Sequence, residues 1–327
     1  MVNIENISQY LQVAGRGYRN RNHFRFLLHR KYGTKFKPKA PKFPPMLIVE
    51  TTNYCNLSCI HCPQSTLTKK AGYKHGFMDF DLYKRIINEA SLYKKVILRP
   101  FGGGEALIHP DLPKMVRYAK EKGIESIWLN TNGLLLTSEK SKALLDAGLD
   151  RIEISIDATT EETYRKIKGK TGLSKVIANT LEYCDLKEKL YPDKKITASF
   201  VESNVNASEK DGFISFWENR VDHVNIRSVH QHGALVERLS KDKEKDEPER
   251  LPCPLLWRRV QINYYGGLIY CEYDWENREE VGNVKDLSIR EIWNGAKYKY
   301  LRKLHVERRF SEIPLCSICK THSELLW

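Results

Sequence analysis

From Met46 onward the chain alternates short apolar runs with stretches of helical period, and this alternation restricts the fold more than any other feature. Runs over residues 46–51, 96–101, 124–130, 152–157, 195–202 and 222–229 have strand length and are apolar enough to be buried. Between them, Leu82, Ile86 and Ala90 form one stripe at helical spacing, and Leu112, Met115, Val116 and Ala119 form another. That rhythm predicts parallel βα units, hence an α/β protein built on an open barrel of about six repeats. In a parallel barrel, chemistry gathers at the C-terminal ends of the strands, so a motif that begins where a strand stops carries functional weight. The 327 residues, 41% of them hydrophobic, suffice for one such domain and a smaller appendage.

The flanks read differently. Residues 1–45 hold ten Lys or Arg against the single acid Glu5 and supply most of the formal charge of +13. Such an arm packs on the barrel with a solvated basic face, or faces nucleic acid, an anionic lipid surface or an acidic leader peptide. It carries no nucleic-acid motif, so nucleic acid is not an expected partner. Prolines at 38, 41, 44 and 45 end the arm, the barrel is expected over 46–237, and the charged run 238–250 reads as a connector. Residues 251–327 then form the appendage, with a helix expected over about 288–303. No run of about eighteen apolar residues and no secretory signal is visible, which predicts a cytoplasmic protein. In that reducing compartment eight clustered cysteines point to metal or cluster ligation rather than disulfides.

The first apolar run leads directly into Cys55, Cys59 and Cys62, spaced CxxxCxxC. Three sulfurs on so short a loop can cap three irons of a cubane and leave the fourth open to a small ligand. Zinc would want a fourth ligand, and His61 would have to fold back awkwardly to supply it. The loop resembles the signature of the radical S-adenosylmethionine superfamily, and the resemblance implies a partial (β/α)6 barrel. It also implies a [4Fe–4S] cluster on Cys55, Cys59 and Cys62, chelated by S-adenosylmethionine, and a flavodoxin- or ferredoxin-type electron donor. His61 falls where the family lays backbone against adenine. Gly103, Gly104 and Glu105, closing the second run, resemble the family's GGE motif for the amino group of S-adenosylmethionine. Asn132, Ser155 and Asp157, at the ends of the third and fourth runs, match positions that contact its ribose and carboxylate. Ser155 is the preferred contact of these, Asn132 alternatively caps a turn, and Lys168-Gly169 stands where the family often has Arg-Gly.

A second set, Cys253, Cys271, Cys316 and Cys319, could saturate one metal centre, and spacing alone does not separate zinc from iron. Its surroundings, Gly267–Cys271, Val281–Val284 and Ser288–Trp293, resemble the SPASM/twitch extension, which implies one auxiliary [4Fe–4S] cluster. The four-cysteine form is similar to the twitch domain of aminocyclitol dehydrogenases. The resemblance therefore implies an oxidoreductase acting on a polar sugar- or aminocyclitol-like molecule, small or carrier-linked. Alternatives are a peptide maturase, a sugar epimerase using Cys184 as hydrogen donor, or a zinc-containing nucleic-acid-binding protein. Arg99, Glu202, Arg227 and His230 are expected near inner strand ends and are the candidate substrate contacts.

Overall fold

A computed structural model of the chain describes residues 38–229 and 250–319. Besides the short helix Gln64–Leu67, its first part runs β1 Met46–Val49, α1 Phe80–Ala90, β2 Ile97–Arg99, α2 Leu112–Glu121, β3 Ser126–Thr131 and α3 Ser138–Asp146, followed by β4 Arg151–Ser155, α4 Glu161–Lys168, α5 Leu173–Leu190, β5 Lys195–Glu202, α6 Lys210–Trp217 and β6 His223–Ser228. The second part adds β7 Arg259–Ile262, β8 Gly267–Ile269, β9 Glu280–Asn283, α7 Ile289–Asn294 and α8 Ala296–Val306. A strand is present in each of the six expected runs, matching 195–202 in full and the others to within two residues at each end, and both helical stripes are buried on α1 and α2. Local chemistry sets the boundaries. Asp79 starts α1 by accepting the N–H groups of Asp81 and Leu82, and Gly169 ends α4 in the left-handed region at φ 73°.

The strands form one nine-stranded sheet in the order β6-β5-β4-β3-β2-β1-β7-β8-β9. It is open, with β6 at one edge and β9 at the other, so the barrel is partial. Pairing is parallel from β6 to β7 and antiparallel beyond. Leu98, Ile127, Leu129, Ile152 and Ile154 are fully buried in the core, whereas their strand neighbours Arg99 and Asn130 border a cavity.

The C-terminal segment joins the barrel's sheet: β7 pairs with β1 and Glu50 N–H donates to the Ile262 carbonyl at 2.8 Å. The barrel sheet therefore runs on into the appendage without a break. The single helix expected over 288–303 is two, α7 and α8, because Gly295 is extended at ψ 173°. Of the basic arm, residues 38–45 are described; Pro41 and Lys42 accept from Trp293 and Asn294 of α7. The rest of the arm and the connector up to residue 249 lie outside the described residues. Among the described residues no helix is long and apolar enough to cross a membrane.

Candidate active site

The three-cysteine loop leaves β1 and is clasped from three sides. Helix α4 ends beneath it, where two carbonyls left free by the helix terminus are filled by the loop. Ser58 N–H donates to Lys168 O at 3.2 Å and Ile60 N–H to Ile167 O at 2.9 Å. A Cβ on Gly169 would lie 3.0 Å from Ser58 O, so glycine suits both the left-handed turn and the close approach. On the second side, Gln64 binds the Asn53 carbonyl and Glu105 N–H donates to Tyr54 O at 2.8 Å. On the third, Asn132 Nδ2 reaches Asn56 Oδ1 at 2.7 Å. Cys55 is exposed, while Cys59 and Cys62 are half-buried. Burial raises all three thiols, Cys55 to about 11 and Cys62 to about 12.

The glycines after β2 are needed for packing. A Cβ on Gly104 would meet Tyr54 O at 2.3 Å and Asn53 C at 2.7 Å, and one on Gly102 would meet the Glu50 side chain at 2.5 Å. The second strand's exit is thereby pressed flat on the first's, leaving backbone rather than side chain toward the site. Glu105 itself turns inward. It is buried and accepts from Thr131 Oγ1 at 2.7 Å, Asn132 N–H at 2.8 Å and Leu107 N–H at 3.1 Å. The carboxylate expected to meet the amino group of S-adenosylmethionine ties β2, β3 and the cysteine loop together through these bonds; desolvation raises its pKa against them. Asn132 does cap a turn, accepting from Leu134 N–H at 3.0 Å, besides holding Asn56.

Asp157 also faces inward. It is fully buried, with φ 65°, and takes Val201 N–H at 2.7 Å on one oxygen and Lys168 Nζ at 2.5 Å on the other. Burial alone would raise its pKa, but the charges of Lys168 and nearby His61 outweigh that and hold it below the ordinary range. Ser155 Oγ joins the pair, accepting from Lys168 at 3.1 Å. His61 Nε2 stands 3.8 Å from Asp157, and desolvation lowers the imidazole to about 4. Lys168 thus belongs to a buried ion pair whose partner stands two residues past the end of β4.

Above β1, β2, β3, β6 and β7 opens a cavity of about 1010 Å3. Of the candidate substrate contacts, Arg99 and Arg227 line it; Glu202 does not, and pairs with Lys210 of α6 at 3.1 Å. His230 lies outside the described residues. Sequence reasoning missed Glu50, one strand-end residue before the motif, whose buried carboxylate joins barrel to appendage through Gly103 N–H at 2.8 Å and Tyr264 N–H at 3.1 Å. It also missed Arg259 and Trp275, which no motif marks.

A second, small cavity of about 30 Å3 is lined by Cys253, Cys271, Cys316 and Cys319 together with His305. Four thiols around one small cavity form a donor set that can hold an iron-sulfur cluster. Burial raises Cys253 and Cys316 to about 12 and lifts Cys271 well above the ordinary thiol range. His305 Nδ1 accepts Cys253 N–H at 3.1 Å, which leaves Nε2 to carry the proton toward Cys316 Sγ at 3.3 Å. Tyr273 borders both cavities. Cys184, half-buried on α5 against the core, borders neither, and its thiol is raised to about 11 by burial.

Comparison with known proteins agrees with this geometry. Residues 49–187 match the Radical SAM superfamily, and residues 253–320 match the SPASM iron-sulfur cluster-binding domain. A probable GTP 3',8-cyclase of Metallosphaera sedula is 32% identical over 57% of this chain and 56% of its own length. An AdoMet-dependent heme synthase of Methanosarcina barkeri is 35% identical over 39% and 36%, so the chain spans about half or less of these relatives. The tungsten-containing aldehyde ferredoxin oxidoreductase cofactor-modifying protein of Pyrococcus furiosus is 25% identical over 83% of this chain and 87% of that one. Among solved structures, BtrN in complex with AdoMet and 2-DOIA superposes with a TM-score of 0.58 at 18% identity, covering 84% of this chain and 92% of BtrN. Streptococcus suis SuiB bound to precursor peptide SuiA gives 0.64 at 13%, covering 91% and 78%. The chain belongs to the radical S-adenosylmethionine superfamily, with a C-terminal SPASM domain, a [4Fe–4S] cluster that binds S-adenosylmethionine, and an auxiliary cluster.

Proposed function

We propose that the protein is a dehydrogenase of this superfamily, removing the carbon-bound hydrogen atom and then the hydroxyl proton and one electron from an alcohol on a small polar molecule. When bound, the two clusters supply the electron that splits S-adenosylmethionine to a 5'-deoxyadenosyl radical and the acceptor for the electron the substrate gives up. Cys55, Cys59 and Cys62 would hold the first cluster and leave one iron open. The backbone of Gly103 and Gly104, with His61, Asn132 and Ser155, would border S-adenosylmethionine. Glu105 and Asp157 act on that site from behind, by fixing Asn132 and Lys168.

The observation that carries the reading is the closure of the second site: all four remaining barrel-external cysteines surround one cavity and leave no sulfur position free, beside the large cavity across Tyr273. Such a centre suits electron relay better than substrate ligation. Cys184 borders neither cavity, which disfavours epimerisation through that thiol. The deciding experiment measures iron, sulfide and stoichiometry on anaerobically reconstituted protein. The reading expects about eight irons per chain and one S-adenosylmethionine consumed per ketone formed. Zinc at the second site, or product isomeric with substrate, would refute it.

A further inference from the structure

The large cavity has an unbalanced charge. Its acids are already engaged: Glu50 by the Gly103 and Tyr264 amides, Asp274 by the Arg278 and Glu279 amides, Glu276 by Lys70 and Arg278, and Glu272 by Arg259. Of the cations, Arg227 is paired with Glu153 and Lys74 is exposed. Arg99 is neither. Among the described residues it pairs with no carboxylate. Its Nη2 donates to Asn130 Oδ1 at 2.9 Å, its guanidinium lies 4.5 Å over the Phe101 ring, and its Nε is out of solvent without a partner. A second such atom, Arg259 Nε, is also buried and unpartnered, on the strand that flanks β1 opposite β2. Burial, with Arg259 and Arg227 adding to it and Glu272 opposing, lowers Arg99 to about 10. A desolvated cation left without an anion is costly to hold, and stacking on Phe101 fixes the plane of its fork.

From this we infer that the cavity recognises an anionic group, a phosphate or carboxylate carried by the substrate, with Arg99 as its principal partner and Arg259 beside it. The inference rests on the reading of this cavity as the substrate site. A planar guanidinium meets either group through two parallel N–H bonds, and away from bulk water such bonds discriminate strongly against a neutral analogue.

The test is calorimetry on the reconstituted holoenzyme with S-adenosylmethionine, using glucose, glucose 6-phosphate, glucuronate and pyrophosphate as probes. At least one anionic probe should bind about tenfold or more tighter than glucose, and weaken as salt is raised. The phosphate and carboxylate arms separate the two groups. Arg99→Gln should lose about tenfold or more for the anion and nothing for glucose, with Arg99→Lys recovering part of the loss, and thermal melting should show both variants folded. Equal affinity for neutral and anionic probes, or undiminished anion binding by Arg99→Gln, would overturn the inference. If Arg99→Gln does not fold, anion binding by Arg99→Lys equal to that of wild type decides against it. Failure of the underlying reading shows separately, as absence of 5'-deoxyadenosine from reduced wild-type protein whatever the calorimetry gives.

Discussion

The two cysteine sites are assembled by opposite means. Cys55, Cys59 and Cys62 sit within eight residues on one loop, and neighbouring backbone, α4 carbonyls and glycine contacts hold that loop with Cys55 exposed. Cys253, Cys271, Cys316 and Cys319 come from three separated segments and close on a small cavity only when β7, β8 and α8 have packed. An open iron needs its ligands on one flexible side of a cubane; a closed centre needs them from all sides, and that requires tertiary structure. The two sites should therefore fail in different ways.

Cys59→Ala gives the largest effect. Formation of 5'-deoxyadenosine should fall below detection and about four irons should be lost, while the second cluster's absorbance remains. Survival of 5'-deoxyadenosine would erase the distinction drawn between the sites. Cys271→Ala is the converse. It should lose about the other four irons and the oxidised product, yet still release 5'-deoxyadenosine on reduction, read by chromatography of both products.

Next in size is the support beneath the first loop. Asp157→Asn strands Lys168 without its counter-charge and should destabilise the protein by about 3–5 kcal/mol in urea unfolding. The sign with pH follows from both partners. Asp157 is held below its ordinary 3.8, so its stabilisation is present above that value and lost as pH falls through the depressed pKa. Lys168 is held above its ordinary 10.5, so its share persists below that value and disappears only at still higher pH. Between those limits the wild-type advantage should be flat, narrowing in acid; an advantage that widens in acid would contradict the pairing. Gly104→Ala follows at about 1–3 kcal/mol, since its Cβ meets main chain that cannot rotate away. Its loss should appear also as weaker S-adenosylmethionine binding, whereas an alanine at Gly123, where a Cβ meets nothing, tests left-handed strain alone.

Much of this architecture is written in the local sequence. Period and punctuation locate six strands and the cysteine loop, because a parallel strand is apolar along its length and a βα unit is local. The inward turn of Glu105 and Asp157 is invisible in sequence, since motif position fixes where a carboxylate starts and not which N–H groups surround it. Glu50 looks like an ordinary strand-end acid until β7 arrives from two hundred residues away with the Tyr264 amide. The break at Gly295 is legible in hindsight: Glu291 O lies 2.9 Å from where its Cβ would be, so only glycine turns α7 into α8 there. Register between β1 and β7 has no local signal at all, and with it goes the wall that Arg259 adds to the large cavity.

The smallest predicted effect sharpens the comparison most, because it concerns a residue that only tertiary packing delivers. His305 comes from α8, takes the Cys253 amide on Nδ1 and so directs Nε2–H at Cys316 Sγ. A donor aimed at a ligating sulfur favours the more negative, reduced state of whatever centre that sulfur holds. His305→Phe should therefore lower the midpoint potential of the second cluster, and a difference of about 1 kcal/mol in the bond between oxidation states corresponds to roughly 40 mV for one electron. The first cluster, with no such histidine contact on its sulfurs among the described residues, should not move. Redox titration followed by electron paramagnetic resonance reads the two centres separately. An unchanged second potential, or a shift shared by both, would show that the imidazole only fills space between α8 and Cys316.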